Sequence, residues 1–501
     1  MIARRSFLFL VSKLIASGLS YVGLLLLLNF FGKEVYGNLS FALALVATFS
    51  AFSDLGFSSA HIKRISEGKD INDCVSTYTA IKLVLTGLSV LISLASILVW
   101  TVFLGGNLSG VTMSLVLLFV LYTALYNLSS IATTTYAATM EQAKAQIISL
   151  FDPLVRIPLI AIVAFGSHGA VEAAYAYVIA SLAIMLLSLL FLRRDRIKWR
   201  RPTLYRSYLV FAMPLVLISV VSAVAVNMDK LALGFFWNYD SVASYTACLT
   251  FLGVISMIGV AVSTMTFPTF SKMHSENRLE EIRTATMQAE RYLSMVAMPV
   301  MAFIIVFPSE TARFLLSAGL ESAGEAMRLL AIATLLNLLN TVHLSQVLAV
   351  DRSDLSAKIV LLNFIIFGVF LLIMVPSELF GLPLLGLDFF GAALANVSAA
   401  AIIFVVIRIV VWNLTKTGSN LRVLLHLVAV MIAGMAIFLL SEVRPIGTLI
   451  DLILYSLALL AVFVAVLAAM KEFRRADLDY LLDIINLRKL WIYMSDEVGS
   501  K

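Results

Sequence analysis

Charge is scarce in this 501-residue chain, in which only 13% of the residues are Asp, Glu, Lys or Arg. Soluble domains carry about 25% charged residues, so an ordinary soluble fold is excluded. The 25 glycines and 10 prolines are too few for a collagen-like or a disordered Pro/Gly-rich chain. The two cysteines, Cys74 and Cys248, form no CxxC motif, which excludes a secreted disulfide scaffold and a zinc or redox motif of that kind. We interpret both as packing residues.

Long apolar runs are abundant, since 61% of the residues are hydrophobic and the mean hydropathy is +1.00. A helix needs about 20 apolar residues to cross a bilayer, and fourteen runs predict an all-α, polytopic membrane protein with fourteen transmembrane helices. The first run continues through Lys13 to Phe31 without the cleavage site of a signal peptide, so we interpret it as a span. The predicted spans cover residues 8–31, 38–57, 77–104, 110–138, 147–166, 170–192, 207–230, 241–267, 291–308, 325–349, 357–376, 388–412, 421–441 and 447–470.

The distribution of Lys and Arg predicts the orientation of these spans, because cytoplasmic loops keep the positive charge. With the N-terminus inside, the outer loops hold four basic residues and the spans hold five, which leaves 27 of the 36 in cytoplasmic segments. Both termini are therefore expected in the cytoplasm, and the chain in the cell membrane as a multi-pass protein. The basic run from Arg193 to Arg201 is interpreted as an anchor on anionic lipid headgroups rather than as a nucleic-acid site.

The two halves of the chain share a pattern. A shift of about 206 residues lays the turn Phe31–Gly37 onto Trp237–Ala243, and an even number of helices in each half makes the repeat parallel. We therefore predict two six-helix lobes related by a pseudo-two-fold axis, with a substrate site between them. The predicted divisions are an N-terminal lobe at 1–206, a C-terminal lobe at 207–420, helices 13 and 14 at 421–472, and a cytoplasmic amphipathic tail at 473–501.

Small polar residues recur at helical spacing in span 4 and in its repeat counterpart, span 10, so that each helix carries one polar face. The faces either hydrogen-bond neighbouring helices, as small polar residues often do in membranes, or line a central water-filled cavity. The residues are Thr123, Asn127, Ser130 and Thr134 in span 4, and Thr334, Asn337, Thr341 and Ser345 in span 10.

Basic residues inside spans are costly and mark functional sites by default. Lys13, Lys82 and Arg156 each lie roughly 10 Å inside the cytoplasmic end of a predicted span, at 1.5 Å per residue. A ring of cations at one depth would bind the phosphate group of a lipid headgroup. The alternative is that all three side chains extend to the inner interface.

Acidic residues near span ends leave alternatives open. Asp54 either neutralises one of these cations or carries a coupling proton, or it stands at the helix end that Gly56 marks. Asp152 is either the ion-pair partner of Arg156, four residues on, or an N-cap before a proline. Asp229 and Lys230 form a boundary pair at the outer end of predicted span 7, or an ion pair with a role in coupling.

Enzyme motifs are absent from the sequence. There is no GxxxxGK[ST] segment and no HExxH segment, and the Asp477-x-Asp479 pair falls in the tail on an amphipathic stripe. The predicted outer loops are too short to build the site of a membrane glycosyltransferase. We therefore predict no catalytic residue, no metal, no cofactor and no enzyme activity.

Several motifs resemble a known family. Phe31–Gly37 and Asp54–Phe57, with Pro214, Gly234 and Tyr245 in the second half, are similar to the Wzx-like polysaccharide biosynthesis flippases. These belong to the multidrug/oligosaccharidyl-lipid/polysaccharide exporter superfamily. The chain departs from the family at Lys230, where Arg is common, and at Ala243, where Gly is common. The tail resembles those of archaeal members.

The resemblance implies a V-shaped transporter that moves a polyprenyl- or dolichyl-(pyro)phosphate-linked oligosaccharide outward by alternating access, for surface polysaccharide or glycoprotein glycans. The expected partners are this substrate, membrane lipids and a coupling ion, H+ or Na+, with the chain acting as a monomer. The alternative is an ion-coupled small-molecule or drug exporter of the toxin-extrusion (MATE-like) type. That family usually has twelve helices, so helices 13 and 14 argue against it.

Because the chain has no P-loop, we predict that its transport runs on an ion or substrate gradient and not on ATP. The purified protein should show no ATPase activity above that of empty detergent micelles or liposomes. ATP hydrolysis by the protein without a partner chain would contradict this prediction.

Overall fold

The computed structural model describes residues 2–103, 108–166, 169–418 and 420–473. In this part of the chain, fourteen helices are long and apolar enough to cross a membrane, which confirms the predicted number. We number them as spans in chain order. Spans 1 to 7 are Ile2–Leu26, Lys33–Ser50, Ile71–Leu98, Gly110–Ala138, Gln142–Phe165, Ala170–Arg194 and Tyr205–Phe236. Spans 8 to 14 are Tyr239–Ser275, Leu279–Val306, Gly324–Ala349, Ser353–Met374, Asp388–Thr415, Leu421–Val443 and Leu449–Ala469.

Short elements connect the spans. Helices Phe57–Ser66 and Pro308–Leu315 follow spans 2 and 9, and strands Glu378–Leu379 and Leu382–Pro383 pair as a hairpin before span 12. We call the end of the bundle that carries residues 195–204 the basic end. The connections after the other even-numbered spans up to span 12 lie at this end as well, because successive spans alternate in direction. The predicted tail lies outside the described residues, except for Phe473.

Polar side chains satisfy the free N–H groups at several helix starts, as helices in an apolar medium require. Asp70 accepts hydrogen bonds from the backbone N–H groups of Asn72 and Asp73 before span 3. At span 14, Thr448 and Asp451 form a reciprocal capping box. Local sequence therefore defines these helix boundaries.

Several helices begin or end some residues away from the predicted bounds, and two of these differences change the environment of charged residues. Span 9 begins at Leu279 rather than at residue 291, so Glu290 and Arg291 lie inside the helix and are buried. Span 7 continues to Phe236, so Asp229 and Lys230 lie within the helix and not at its end. In both cases the charged side chains have partners inside the protein, which a hydropathy pattern does not detect.

Glycines allow the two halves of the chain to approach closely at the end opposite the basic end. A Cβ at Gly37 of span 2 would lie 1.8 Å from the backbone oxygen of Tyr239, and one at Gly234 of span 7 would lie 2.2 Å from the Phe41 ring. Spans 2, 7 and 8 therefore pack with almost no space between backbone and neighbour, as small residues allow in membranes.

The helix breaks after span 2, and at this break the two halves are in contact near the basic end. Span 2 ends at Ser50, and Gly56 adopts a left-handed conformation with φ of +87° before the short helix begins. A Cβ at Gly56 would lie 2.6 Å from the Leu215 Cβ. His61 of the short helix hydrogen-bonds Tyr208 of span 7 at 2.9 Å, so the start of span 7 is held against the first half of the bundle.

Spans 13 and 14 are attached to span 9 by a buried ionic cluster around Glu472. The Glu472 side chain is only 2% exposed and accepts hydrogen bonds from Arg291 of span 9 and from Arg422 of span 13. His426 of span 13 lies 3.5 Å from the same carboxylate and bonds Ser294 of span 9 at 2.7 Å. Burial raises the pKa of the Glu472 carboxyl, but the hydrogen bonds from the two arginines outweigh it and hold the pKa below its ordinary value.

We predict that Glu472→Gln lowers stability, by about 3 kcal/mol, because it leaves buried arginines without their counter-ion. The contribution of Glu472 is present above the unfolded carboxyl pKa and is lost as the pH falls through the lowered folded pKa. Thermal unfolding in detergent as a function of pH measures both effects. The variant should lose this part of the acid sensitivity, whereas Glu442→Gln, at an exposed position of span 13, should behave as the parent. Equal stability of Glu472→Gln and parent would contradict the prediction.

Candidate functional site

A cavity of about 340 Å³ lies between the two halves of the chain and carries two cations. Arg156 of span 5 and Lys230 of span 7 both reach its wall, and no carboxylate is among the described residues that line it. Three tyrosines, Tyr36, Tyr122 and Tyr177, contribute rings and hydroxyl groups. Ser20, Ser40, Asn227, Thr246 and Thr250 add further polar groups. We call this the cationic cavity.

Arg156 is oriented by its neighbours. Its Nε donates to Asp152 Oδ2 at 3.1 Å, one turn earlier on span 5, and its guanidinium lies 4.6 Å from the centre of the Tyr177 ring. Asp152 is inside span 5 rather than at its start, so it forms an ion pair and is not an N-cap. A carboxylate behind the guanidinium and an aromatic ring over it hold the cation in place, with its remaining donors available to the cavity.

Lys230 is held in a similar way by its own helix. Its Nζ donates to the Val226 carbonyl at 3.1 Å and lies 3.7 Å from Asp229 Oδ1. Asp229 is buried at 4% exposure and lies against Tyr245 of span 8. The Asp229 and Lys230 pair is therefore part of the wall between spans 7 and 8.

A second cavity, of about 460 Å³, lies between spans 8 and 10 toward the basic end. All four predicted residues of the span 10 face line it: Thr334, Asn337, Thr341 and Ser345. Span 8 contributes Ser256, Ser263 and Thr264 from the opposite side. No charged residue is among the described residues that line it, so we call it the hydroxyl cavity. Thr250 of the cationic cavity and Ser256 of the hydroxyl cavity are six residues apart on span 8, about 9 Å along the helix.

The span 4 face has a different environment. Thr123 and Ser130 donate to carbonyls of their own helix, at 2.8 Å to Phe119 and at 2.6 Å to Asn127. Ser130 and Thr134 lie beside the Tyr78 hydroxyl of span 3. All four residues of this face are partly exposed within the bundle. Neither cavity described above includes them, so the predicted similarity between the polar faces of spans 4 and 10 does not extend to these two cavities.

The three predicted cations lie at different positions. Lys82 is buried at 2% exposure and its Nζ lies 3.2 Å from Asp54 Oδ1. Lys13 is exposed on span 1. Arg156 lies level with Gly23, because a Cβ there would be 2.6 Å from Ile157 Cδ1, and Gly23 is ten residues, or about 15 Å, beyond Lys13. Arg156 therefore lies deeper in the bundle than Lys13, and the expectation of a single shared depth does not hold for Arg156.

Asp54 combines two of its predicted roles. It stands in the break after span 2, where it accepts hydrogen bonds from the backbone and the hydroxyl of Ser58, and it is also the partner of Lys82. The Ser58 hydroxyl continues to Tyr78 at 2.8 Å. This chain of contacts couples the break to spans 3 and 4.

An apolar groove of about 510 Å³ lies between spans 9 and 13. Span 9 contributes Ala302, Ile305 and Val306, and the span 13 side is formed by Leu427, Val430, Met431, Gly434, Met435 and Phe438. Arg328, at the start of span 10, is the one cation among the described residues that line it. We call this the apolar groove.

Sequence reasoning missed a buried cluster of Glu290, His343 and Arg408 near the hydroxyl cavity. Arg408 donates to one oxygen of Glu290, and His343 lies 3.4 Å from the other. The predicted bounds of span 9 leave Glu290 just outside the helix, although a histidine inside predicted span 10 is a usable signal. Among the described residues, no group of three His, Cys, Asp or Glu could hold a metal ion.

We predict that Lys82→Gln lowers thermal stability in detergent by about 2 kcal/mol, because it leaves Asp54 without its counter-ion in a partly buried site. The double variant Asp54→Asn/Lys82→Gln should recover part of the loss. Lys63→Gln is the matched control, since Lys63 is exposed and lies 3.9 Å from Glu67, where a surface pair contributes little. A double variant less stable than Lys82→Gln would contradict the ion-pair interpretation.

Comparisons with known proteins agree with this architecture. The solved structure of the lipid II flippase MurJ in an inward closed conformation superposes with a TM-score of 0.73 over 93% of this chain and 100% of that one, at 14% identity. An inward-facing multidrug resistance MATE family transporter of the MOP superfamily gives a TM-score of 0.61 over 81% and 96%, at 18% identity. A MOP superfamily transporter from Pyrococcus furiosus gives 0.57 over 82% and 95%, also at 18%. At these identities the likeness shows the fold alone.

A comparison of the sequence with known families shows to which family the chain belongs. A search of curated proteins finds no significant match, but the family described as polysaccharide biosynthesis protein matches residues 2–274, more than half of the chain. This confirms the resemblance drawn from the motifs of spans 1, 2 and 7. The chain belongs to the polysaccharide biosynthesis protein family.

Proposed function

We propose that this protein is a flippase that moves a polyprenyl- or dolichyl-(pyro)phosphate-linked oligosaccharide across the cytoplasmic membrane by alternating access. Its product would serve the assembly of surface polysaccharide or glycoprotein glycans. The observation that carries the proposal is the cationic cavity, in which Arg156 and Lys230 face a space between the two halves of the chain.

The cationic cavity suits a phosphate or pyrophosphate group. Arg156 offers a planar fork of donors that matches phosphate oxygens in pairs, and Lys230 adds a second positive charge. Both cations are kept in position by carboxylates that stand behind them, Asp152 and Asp229. A site of low polarity strengthens such charge-assisted contacts.

The protein offers surfaces that suit the neutral part of the substrate in both cavities, each of which is lined in part by span 8. The tyrosine rings of the cationic cavity offer flat apolar faces with hydroxyl groups at their edges. The hydroxyl cavity offers the uncharged donors and acceptors of Asn337, Thr341 and Ser345. An uncharged, hydroxyl-rich oligosaccharide can hydrogen-bond such groups without leaving a buried charge unpaired.

The apolar groove suits the isoprenoid chain of the carrier. It lies between two membrane helices, it is lined by aliphatic side chains and Phe438, and it has Arg328 near one end. Burial of apolar surface in such a groove is favourable only where lipid contacts are replaced by equally close packing. A long, thin isoprenoid chain fits this requirement better than a compact drug molecule does.

Lys13 and Lys82 supply a path toward this site. With the basic end in the cytoplasm and both termini on that side, the two lysines lie nearer the loading side, and Arg156 lies deeper. We therefore assign Lys13, Lys82 and Arg156 to successive positions on the phosphate path rather than to one ring. Asp54 neutralises the positive charge of Lys82. A coupling ion, H+ or Na+, drives transport, and the protein acts as a monomer.

We predict that a strain without this gene accumulates lipid-linked precursor on the cytoplasmic side and loses surface glycan. Complementation with Arg156→Gln or Lys230→Gln should restore little glycan, and Arg156→Lys should restore an intermediate amount, because it keeps the charge and loses the fork. Arg313→Gln is the control, since Arg313 is half exposed in the short helix after span 9 and pairs with Glu321. Protein abundance in the membrane should be measured for every variant.

Two results would reject the proposal. Full glycan restoration by Arg156→Gln and Lys230→Gln would remove the cationic cavity from the substrate path. Normal surface glycan in the deletion strain, together with new sensitivity to toxic dyes, would favour the alternative of a drug exporter of the MATE-like type.

A further inference from the structure

Three helices bring ionisable side chains together in the second half of the chain, away from the cationic cavity. Glu290 of span 9 is 2% exposed, His343 of span 10 is fully buried, and Arg408 of span 12 lies beside them. Arg408 Nη2 donates to Glu290 Oε1, and His343 Nε2 lies 3.4 Å from Glu290 Oε2. We call these three residues the buried triad.

Most polar atoms of the triad have no hydrogen-bond partner among the described residues. These atoms are Glu290 Oε2, both ring nitrogens of His343, and the Nε and Nη1 of Arg408. A buried polar group without a partner costs about 1–3 kcal/mol, so a fold rarely keeps several in one place without a use. His61, another fully buried histidine, shows the contrast: both of its nitrogens are bonded, to Tyr208 at 2.9 Å and to Thr135 at 3.0 Å.

The triad lies next to the hydroxyl cavity. Asn340, 5% exposed and with both side-chain polar atoms unpaired, lines a smaller cavity of about 230 Å³ together with Ile407, the residue before Arg408. This cavity shares Asn337, Thr341 and Ser345 with the hydroxyl cavity. His343 is therefore on the same helix as the polar face, on the opposite side of that helix.

We propose that the buried triad is a proton-binding site whose occupancy controls the hydroxyl cavity. In the neutral imidazole that carries its proton on Nδ1, the Nε2 of His343 has a lone pair. A proton from a hydronium ion forms the Nε2–H bond of the imidazolium, and this group then donates to Glu290 Oε2, the unpaired acceptor 3.4 Å away. The new bond draws spans 9 and 10 together. Thr341 and Ser345 are carried by the same helix as His343, on its opposite side, so a shift of span 10 toward span 9 also moves the wall of the hydroxyl cavity.

The donor set favours a proton over a metal ion. Arg408 already neutralises Glu290 from one side, and a cation at Oε2 would stand close to that guanidinium. Asn340 could add a single neutral oxygen, whereas metal ions of the Na+ or Ca²⁺ class require several oxygen ligands. Protonation of an imidazole needs one lone pair and one acceptor, both of which are present.

The other helices packed on span 10 bring no further charge to the triad among the described residues. Span 8 carries Lys272 and His274 at its basic end, and His274 faces Asp351. Span 11 carries Asp354 and Lys358, which are exposed. Arg291, next to Glu290 on span 9, faces Glu472. Glu290 and Arg408 are therefore the charged groups next to His343 among the described residues.

The site can be tested without any glycan substrate, by the accessibility of a cysteine on the cavity wall. Thr341→Cys is introduced into the full chain, in which Cys74 and Cys248 are both buried, and its reaction with a charged methanethiosulfonate reagent is timed between about pH 5 and 8, the range in which histidine titrates. The same cysteine in a His343→Gln background supplies the reference, so that the ionisation of the thiol itself cancels in the ratio of rates.

We expect the ratio of rates to change about tenfold across this range, because a tenfold difference in proton affinity between two conformations shifts their populations by up to that factor. If His343→Gln fails to fold, the double variant Glu290→Gln/Arg408→Gln, which leaves the net charge unchanged, serves as the reference. It should remove the pH dependence in the same way. His61→Gln is the matched buried control and should keep the parental profile.

A ratio that stays constant with pH overturns the proposal, and so does a His61→Gln variant that loses the pH dependence as fully as His343→Gln. The inference rests on the proposed transport function for its purpose, but the two fail separately. pH-dependent labelling with no glycan translocation would reject the flippase and keep the proton site. Glycan translocation with pH-independent labelling would reject the proton site alone.

Discussion

The neutralisation of charge inside an apolar bundle is the constraint on which the rest of this structure depends. Only 13% of the residues are charged, yet several of them lie inside helices that cross the membrane, where an unpaired charge is costly. Ion pairs neutralise these charges, and they connect different segments of the chain or successive turns of one helix. The pairs are Lys82 with Asp54, Arg156 with Asp152, Arg408 with Glu290, and Arg291 with Glu472. Burial of such pairs adds little net stability, but removal of one partner is expensive.

This constraint divides the molecule into parts with different chemistry. In the wall of the cationic cavity, Arg156 of the first half and Lys230 of the second face the space between the halves, each with a carboxylate beside it. In the second half, the acidic residues are deeper and the cavity wall carries hydroxyl and amide groups. The pairing around Glu472 has a third effect, because it fastens spans 13 and 14 to span 9 and so creates the apolar groove beside them.

Close helix contacts complete the arrangement. Gly37, Gly56 and Gly234 stand where the two halves touch, and any side chain at these positions would collide with backbone or with a neighbouring side chain. The contacts are rigid and discrete, and packed interfaces of this kind switch between alternative arrangements rather than deform continuously. A transporter that alternates its access requires this property, since the substrate site must open to one side at a time.

Much of the architecture could be predicted from sequence because it depends on local patterns. Runs of about 20 apolar residues predict all fourteen spans, and helical spacing places on one face of span 10 the four polar residues that line the hydroxyl cavity. The ion pair of Asp152 with Arg156 was one of two alternatives, since a separation of four residues brings side chains together on a helix. The motifs of spans 1, 2 and 7 identified the family that the comparison then confirmed.

The sequence by itself determined the number of spans, the helical fold, the distribution of basic residues and the family. Only the tertiary structure decided which charges meet. Glu290 and His343 are 53 residues apart in the chain, and Arg291 and Glu472 are 181 residues apart. No local pattern encodes such distances, because a hydropathy window counts a charged residue as unfavourable whether or not a distant helix neutralises it. The predicted ring of Lys13, Lys82 and Arg156 depends on tertiary contacts as well, because the packing of span 5 against Gly23 of span 1 places Arg156 deeper in the bundle than Lys13.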